Sequence, residues 1–569
     1  MATSASLGSG DDARPIDAMS EGGGLVVEKV WLERLTWGFV GLGVLLRVGR
    51  YAMDFPLWWD EAFVAVNLLR RGYLDLLQPL DYGQVCPLLF LWVELTAVKL
   101  LSVSEWSLRL FPLICGVASV FLFRHAASRV LRGDAALLAT AIFAMAFYPI
   151  RHAADVKPYE SDLLSALVLL ALALEWLHRP ERTRWLWALA AAGPVTVALS
   201  YPAVFVAGGI GLALAPAVWR TRQLRARVAL TVYGLATAGA FAMLFTVFTR
   251  AQAGATLPVM SAEWAQSFPP REGPLALARW LVTIHTGNLF AYPCGAARGA
   301  STLTFGLFVV AVVALWRRGR VTVLAACLMP FGLALMAAAL RRYPYGGSAH
   351  GGSTRFMLYL APSFCLLAGL GAATVLGWLP GSRWRLRVVR AVLLVLVAAG
   401  IVPVALEAAH PYRSLHSQKS RQFARDFWPA LAQDAEVACL RWDFDVGAWD
   451  SIHLNIPVAL CNQAIYSPAR QRAGGPRWDA ITSARPLRCV LCDARPDEEP
   501  AVAAWLESMQ TRFALQGSQS ILVKVDERGA RRGEERYLVF EFVPKRLARP
   551  APSLAAGEQR GDGGPPRKR

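Results

Sequence analysis

The chain has 569 residues, is 55% hydrophobic, and only 18% of it is Asp, Glu, Lys or Arg. A soluble globular chain carries roughly a quarter charged residues, so this composition, with a mean hydropathy of +0.37, excludes an ordinary soluble domain and points to a membrane protein. A net charge of +18 in a soluble chain would suggest nucleic acid, but here the arginines fill the breaks between apolar runs and have a membrane address instead.

The first 28 residues, "MATSASLGSGDDARPIDAMSEGGGLVVE", are polar and Gly-rich, with no basic start and no apolar core segment, so they read as a disordered cytoplasmic tail rather than a signal peptide. A membrane domain over 29–410 follows. Its apolar runs start at Leu35 ("LTWGFVGLGVLLRVGRYAM"), Leu163, Thr302 and Ala391, among others, and crossing about 30 Å of hydrocarbon takes roughly 20 residues. The breaks between runs fall into two classes. "SRVLRGD" (128–134), "HRPERTR" (178–184), "WRTRQLRAR" (219–227), "WRRGR" (316–320) and "GSRWRLRVVR" (381–390) are arginine-rich and belong on the cytoplasmic side. "WWDEAF" (58–63), "RHAADVKPYESD" (151–162), "SYP" (200–202), the loop over 250–299 and "RRYPYGGSAHGGSTR" (341–355) belong on the other. The classes alternate if "CPLLFLWVELTAVKLL" (86–101), which is short and carries Glu94 and Lys99, lies along the outer surface instead of crossing. The expected fold class is therefore a polytopic α-helical membrane protein of about eleven spanning helices plus outer interfacial helices, sited in the inner (plasma) membrane.

Beyond residue 410 charges rise and alternating segments appear. "SRQFARDFWPALAQDA" (420–435) and "EEPAVAAWLESMQTRF" (498–513) read as helices; "EVACLRW", "PVALC", "LRCVLCDA", "QSILVKVDE" and "RYLVFEFVP" read as strands. This predicts a small extracytoplasmic α/β domain over 411–548 and a disordered tail over 549–569. The CxxC of Cys489 and Cys492 lies in an alternating strand with no His pair beside it, which favours core packing or a disulfide over zinc. Five further cysteines sit within or beside apolar runs and read as small core residues.

Three clusters carry the chemistry. Asp60 and Glu61 sit between apolar stretches, where a charge marks a function or a boundary; Asp60 is also a good N-cap for a helix starting at 61–62, and a rigidly held cap is a well-placed base. Arg151, His152, Asp155, Lys157, Glu160 and Asp162 crowd one short turn; snorkelling at the interface is the plain reading, but outward-facing Arg151 and Lys157 run against the positive-inside rule and call for an anionic partner. The third stretch holds Arg341, Arg342 and Arg355, glycine pairs, and Tyr343 and Tyr345, which suit an aromatic belt; a cation at the start of a spanning helix, as Arg355 is, would suit phosphate. A carboxylate pair and unbalanced cations at one membrane face fit displacement of a lipid-linked phosphate from a sugar: the cations hold the leaving phosphate, and a carboxylate takes the proton of the incoming hydroxyl.

The ordered set "DE" (60–61), "LLSVSEWSLRLFPLICGVASVFLF" with Ser104, Glu105 and Arg109, "RHAADVKPYESDLL", and "YPYGG…RFMLYLAP" resembles bacterial members of the GT-C glycosyltransferase superfamily, the glycosyltransferase 39-like branch similar to protein O-mannosyltransferases and lipid A aminoarabinose transferase. The likeness covers roughly residues 30–410. It implies Asp60 as the base on the acceptor hydroxyl, Glu61 as its neighbour positioning acceptor or metal, Lys157 and Arg355 as partners of the donor phosphate, Arg151, His152, Asp155 and Tyr159 along the same outer loop, and Tyr345 as a substrate-binding residue. It also implies inversion at the anomeric carbon and interfacial helices in the first outer loop. The implied partners are a polyprenyl-phosphate-linked sugar donor, a glycan, lipid or protein acceptor, and the bilayer, with no nucleic acid. Nothing in the sequence requires a cofactor, and a divalent metal stays open. The alternative is a transporter or flippase of polyprenyl-linked glycans. Against it, such proteins tend to hold ionisable residues near the midplane in interrupted, repeated helices, whereas these charges sit at helix ends without a visible repeat.

Overall fold

The computed structural model describes residues 26–254, 264–287, 289–292, 300–346, 353–430, 436–441, 456–466, 486–492, 499–525 and 533–545. The expected tail over 549–569, most of the one over 1–28, parts of the 250–299 loop and the centre of "GGSAHGGST" lie outside these residues; residues 26–28 of the expected tail belong to a helix. The chain divides into two compact units, 1–418 and 419–569.

The first unit is helical. Helices α1 (Val26–Ala52), α2 (Trp59–Arg70), α3 (Leu88–Leu101), α4 (Glu105–Val130), α5 (Gly133–Ala144), α6 (Phe147–His152), α7 (Tyr159–His178), α8 (Arg184–Leu199), α9 (Ala203–Arg220) and α10 (Leu224–Leu244) come first. Pro274–Thr286, Ala300–Arg317, Val321–Ala339, Ala361–Gly377 and Ser382–Ala409 complete it. Among the described residues seven helices are long and apolar enough to cross a membrane, which makes this a multi-pass membrane protein. The other expected spans are also helical: three apolar helices of 10–17 residues, Gly133–Ala144, Arg184–Leu199 and Ser301–Arg317, and the more charged 27-residue α1. Helix α3 has 14 residues and a length of about 21 Å, short of the hydrocarbon thickness.

Leucine, alanine and valine fill the core between these helices, with α4 packed on α7, α8 on α10, and α5 on Ala361–Gly377. Gly116 shows how close the packing is near the clustered charges: a Cβ there would meet the Ala153 Cβ at 2.8 Å and Glu160 Oε2 at 3.1 Å. Only glycine lets α4 come this near to the turn before α7.

The second unit holds a four-stranded sheet in the order β1-β2-β4-β3, with β1 (Glu436–Arg441), β2 (Leu487–Cys492), β3 (Phe513–Val525) and β4 (Gly533–Pro544). β1 and β2 are parallel, and the other pairs antiparallel. Both faces are covered. Trp505 and Met509 of Glu499–Gln510 pack on Leu487, Cys489 and Leu491, while Phe423 and Trp428 of Leu415–Ala430 pack on Val490, Cys492 and Val539.

One expectation is corrected here. "PVALC" is not a strand: it lies in the helix Ile456–Tyr466, where buried Val458, Cys461 and Ala464 recur every third residue. A five-residue apolar run fits either periodicity, and the parallel β1–β2 pair needs a crossover that this helix helps to supply. Of the two readings of Cys489 and Cys492, core packing is the one seen: three residues apart on a strand, they point to opposite faces of the sheet and pack in separate cores.

Candidate functional site

Helix α2 begins at Trp59, two to three residues earlier than expected, and its cap is Trp58, not Asp60. The Glu61 carboxylate reaches back to accept from the Trp58 backbone N–H at 3.3 Å. Adjacent residues on a helix point about 100° apart, so Asp60 and Glu61 face different partners.

Glu61 is saturated. Arg109 donates to it through Nε (3.1 Å) and Nη2 (3.1 and 2.8 Å), and the Val156 backbone N–H donates at 2.9 Å. Arg109 also donates to the Phe55 carbonyl. Both side chains are buried, at 3% and 1% exposure. A buried, bidentate Arg–carboxylate pair with its remaining lone pairs satisfied is the one geometry in which burial of two charges is tolerable. It ties α2 to α4 and to the turn before α7.

Asp60 sits between two cations. Lys157 Nζ donates to Oδ1 at 2.9 Å, and Arg355 Nη1 donates to Oδ2 at 3.1 Å. Lys157 also donates to Gln84 Oε1 at 2.7 Å. Arg355 otherwise lies against aromatic faces, with its guanidinium 5.2 to 5.8 Å from the rings of Trp58, Tyr159, Trp264 and Phe356. Two cations thus share one acid. Burial works to raise the Asp60 carboxyl, but Lys157 and Arg355 outweigh it and hold it below the usual carboxylate range.

Next to Lys157, Asp155 accepts from His152 Nδ1 at 2.8 Å and from Arg413. Arg413 keeps Asp155 ionised, well below its ordinary range, despite burial. His152 is pushed down to about 4, chiefly by burial, so it is neutral at physiological pH. The His152 ring lies between Tyr148, 6.3 Å away and stacked, and Tyr159, 5.0 Å away and edge-on. Arg151 points its guanidinium toward Phe147, 5.9 Å from the ring.

Of the residues singled out from sequence, the structure joins Asp60, Lys157, Arg355 and Tyr159 in one contact set. Glu61, His152 and Asp155 border it through Trp58, Val156 and the Lys157 turn. Tyr345 is bound elsewhere: its hydroxyl pairs with His285 Nε2 at 3.1 Å, and its backbone N–H donates to the Ser267 carbonyl at 2.8 Å. Arg355 lies in a 3-10 stretch, Ser353–Leu360, and the α-helix proper starts at Ala361 with Pro362 in its first turn. Gln84, Trp58, Trp264 and Arg413 escape sequence reasoning. The first three are neutral residues among many, and Arg413 follows the last apolar run, where a positive charge carries no signal. Arg109 is legible only as part of the family pattern.

The arrangement can take an anion. A phosphate arriving at Lys157 and Arg355 would replace the Asp60 carboxylate on both, leaving Asp60 free to accept a proton. Glu61, with both oxygens filled, has no capacity left for a metal ion. Among the described residues no group of three or more His, Cys, Asp or Glu side chains is placed to hold one.

No family model matches the chain, and no curated protein does. Solved structures do. ArnT from Cupriavidus metallidurans bound to undecaprenyl phosphate is 14% identical and superposes with a TM-score of 0.53, over 88% of this chain and 97% of that one. The same protein in its apo state gives 0.51 at the same identity and coverage. The apo oligosaccharyltransferase of Archaeoglobus fulgidus is 14% identical with a TM-score of 0.46, over 76% of this chain and 64% of that one. The chain therefore shares the fold of ArnT.

Proposed function

We propose that the protein is a membrane glycosyltransferase that moves a sugar from a polyprenyl-phosphate donor to an acceptor hydroxyl, or a similar nucleophile, at the extracytoplasmic face. The observation that carries this reading is the buried Asp60 carboxylate shared by Lys157 and Arg355. Two cations facing one acid leave a net positive charge that a phosphate would neutralise, and the aromatic faces around Arg355 cover most of it. The fold shared with ArnT, whose structure holds undecaprenyl phosphate, supports the same substrate class.

In this reading the donor phosphate engages Lys157 and Arg355 and releases Asp60. The acceptor oxygen attacks the anomeric carbon and forms the new glycosidic bond. The anomeric carbon–oxygen bond to phosphate breaks, and its electron pair leaves on the phosphate, where Lys157 and Arg355 hold the charge. Asp60 takes the acceptor proton. Attack from the side opposite the phosphate inverts the anomeric centre. Glu61, Arg109 and the Val156 N–H keep Asp60 and the Lys157 turn in register, and His152, Asp155 and Tyr159 wall the same outer loop.

Asp60→Asn tests the reading. In cells expressing this variant, mass spectrometry of lipids and glycans should show the polyprenyl-phosphate sugar accumulating and one sugar-bearing product missing. The purified variant should bind undecaprenyl phosphate at least as tightly as wild type, because the competing carboxylate is gone. Lipid and glycan spectra identical to wild type would overturn the assignment of Asp60.

A further inference from the structure

Arg413 lies in the short segment between the last membrane helix, Ser382–Ala409, and Leu415–Ala430, which leads into the second compact unit. It is 258 residues from its partner in sequence, yet its guanidinium donates to Asp155 Oδ2, and its side chain is only 11% exposed. The same guanidinium lies 4.6 Å from the centroid of the Trp58 ring, while Arg355 lies 5.8 Å from that same ring. Trp58 is in turn the cap of the helix that carries Asp60.

Asp155 sits two residues before Lys157, and the turn between them is tight. The Asp155 N–H donates to the His152 carbonyl at 3.3 Å, and the Lys157 N–H donates to the Asp155 carbonyl at 2.8 Å. The side chains hold this turn from two sides: Glu61 binds the Val156 N–H, and His152 and Arg413 bind the Asp155 carboxylate. Of these anchors, only Arg413 comes from outside residues 55–160.

We propose that Arg413 is a positioning residue for the donor phosphate: by clamping Asp155 it fixes the turn that aims Lys157, so donor binding depends on the segment that leads out of the membrane domain. This rests on the glycosyltransferase reading. Arg413 acts through Asp155 and does not touch the phosphate. The alternative is direct contact, in which Arg413 leaves Asp155 to become a third phosphate cation. The two make opposite predictions for Asp155. Neutralising it removes the clamp in the first case and frees a competing cation in the second.

The test measures binding of undecaprenyl phosphate, with undecaprenol as the probe lacking phosphate, to full-length protein in nanodiscs. Wild type should bind the phosphate far better than the alcohol. Arg413→Gln and Asp155→Asn should each weaken phosphate binding by roughly tenfold to a hundredfold, as loss of an outer partner does for a liganding group. Neither should change undecaprenol binding, which a general loss of structure would lower. The double variant should be no worse than either single one, because both remove the same clamp. Arg413→Lys should recover part of the loss, and it remains informative should Arg413→Gln fail to fold. Unchanged phosphate affinity in Arg413→Gln, additive losses in the double variant, or tighter binding in Asp155→Asn would each overturn the proposal. Equal binding of phosphate and alcohol by wild type would instead remove the reading on which it rests.

Discussion

Helix α4 has charged residues at both ends, and two sets of ion pairs there treat charge differently. Near its C-terminus Arg124 pairs with Glu33, whose side chain is 62% exposed, and just beyond it, at the start of α5, Asp134 pairs with Arg385, at 18% and 30% exposure. About 23 Å along the axis from Arg124, near the N-terminus, Arg109 is buried against Glu61, and Asp60, Lys157 and Asp155 are buried around them. The same residue types are used at both ends, and solvent makes the difference. An exposed pair is screened and contributes between nothing and about 1 kcal/mol. A buried pair costs desolvation first and is kept only where its geometry is complete or its charge is used. Glu61–Arg109 meets the first condition. Asp60, with two cations for one acid, meets only the second.

That contrast can be broken experimentally. The largest effect should come from Glu61→Ala, which leaves Arg109 buried without its partner; a loss of about 3–5 kcal/mol in stability is expected, read as a lowered Tm in detergent. A Tm within a degree of wild type would mean that Arg109 finds water or another acid.

The next effect is pH dependence. His152 titrates near 4 in the folded chain and near 6.5 when unfolded. Between those values the unfolded chain binds a proton that the folded one refuses, so stability falls as pH drops from about 6.5 to about 4. The loss should be on the order of 3 kcal/mol, and His152→Gln should flatten it. Asp60, held below its ordinary range by Lys157 and Arg355, works at lower pH: its contribution is complete above the unfolded value and is lost only as pH falls through the folded one. A Tm profile that is flat from pH 7 to 4.5 in wild type would contradict the burial of His152. The smallest effect should come from Arg385→Gln at the other end, with less than about 1 kcal/mol lost and undecaprenyl phosphate binding unchanged. A measurable loss of binding there would erase the distinction between the ends.

Much of this was legible because charge in an apolar chain is rare and therefore informative. Asp60, Lys157 and Arg355 stand out against leucine and valine, and alternating arginine loops put them at one end of the helices. The long apolar helices follow from hydropathy, whereas the 12-residue α5 and 16-residue α8 fall short of the roughly 20 residues a crossing takes. What was not legible depends on three-dimensional neighbours. Gln84 is an ordinary loop amide until Lys157 lies 2.7 Å away. The division of labour between Asp60 and Glu61 needs the true start of α2, which "WWDEAF" does not reveal. Tyr345 reads as a site residue because it follows "YP" near Arg341 and Arg342, yet its hydroxyl belongs to His285. "PVALC" reads as a strand because five apolar residues carry too little periodicity to tell the two apart.

The α2 start at Trp59 has one more implication. Each residue added to or removed from a helix turns everything beyond it by about 100°. A single insertion between Trp58 and Asp60 would put Asp60 where Glu61 stands, toward Arg109, carry Glu61 past it, and leave no carboxylate at Lys157. The stretch is thus a phase setting as much as a pair of acids, and drift in length should be far less tolerable here than in the loop that follows α2.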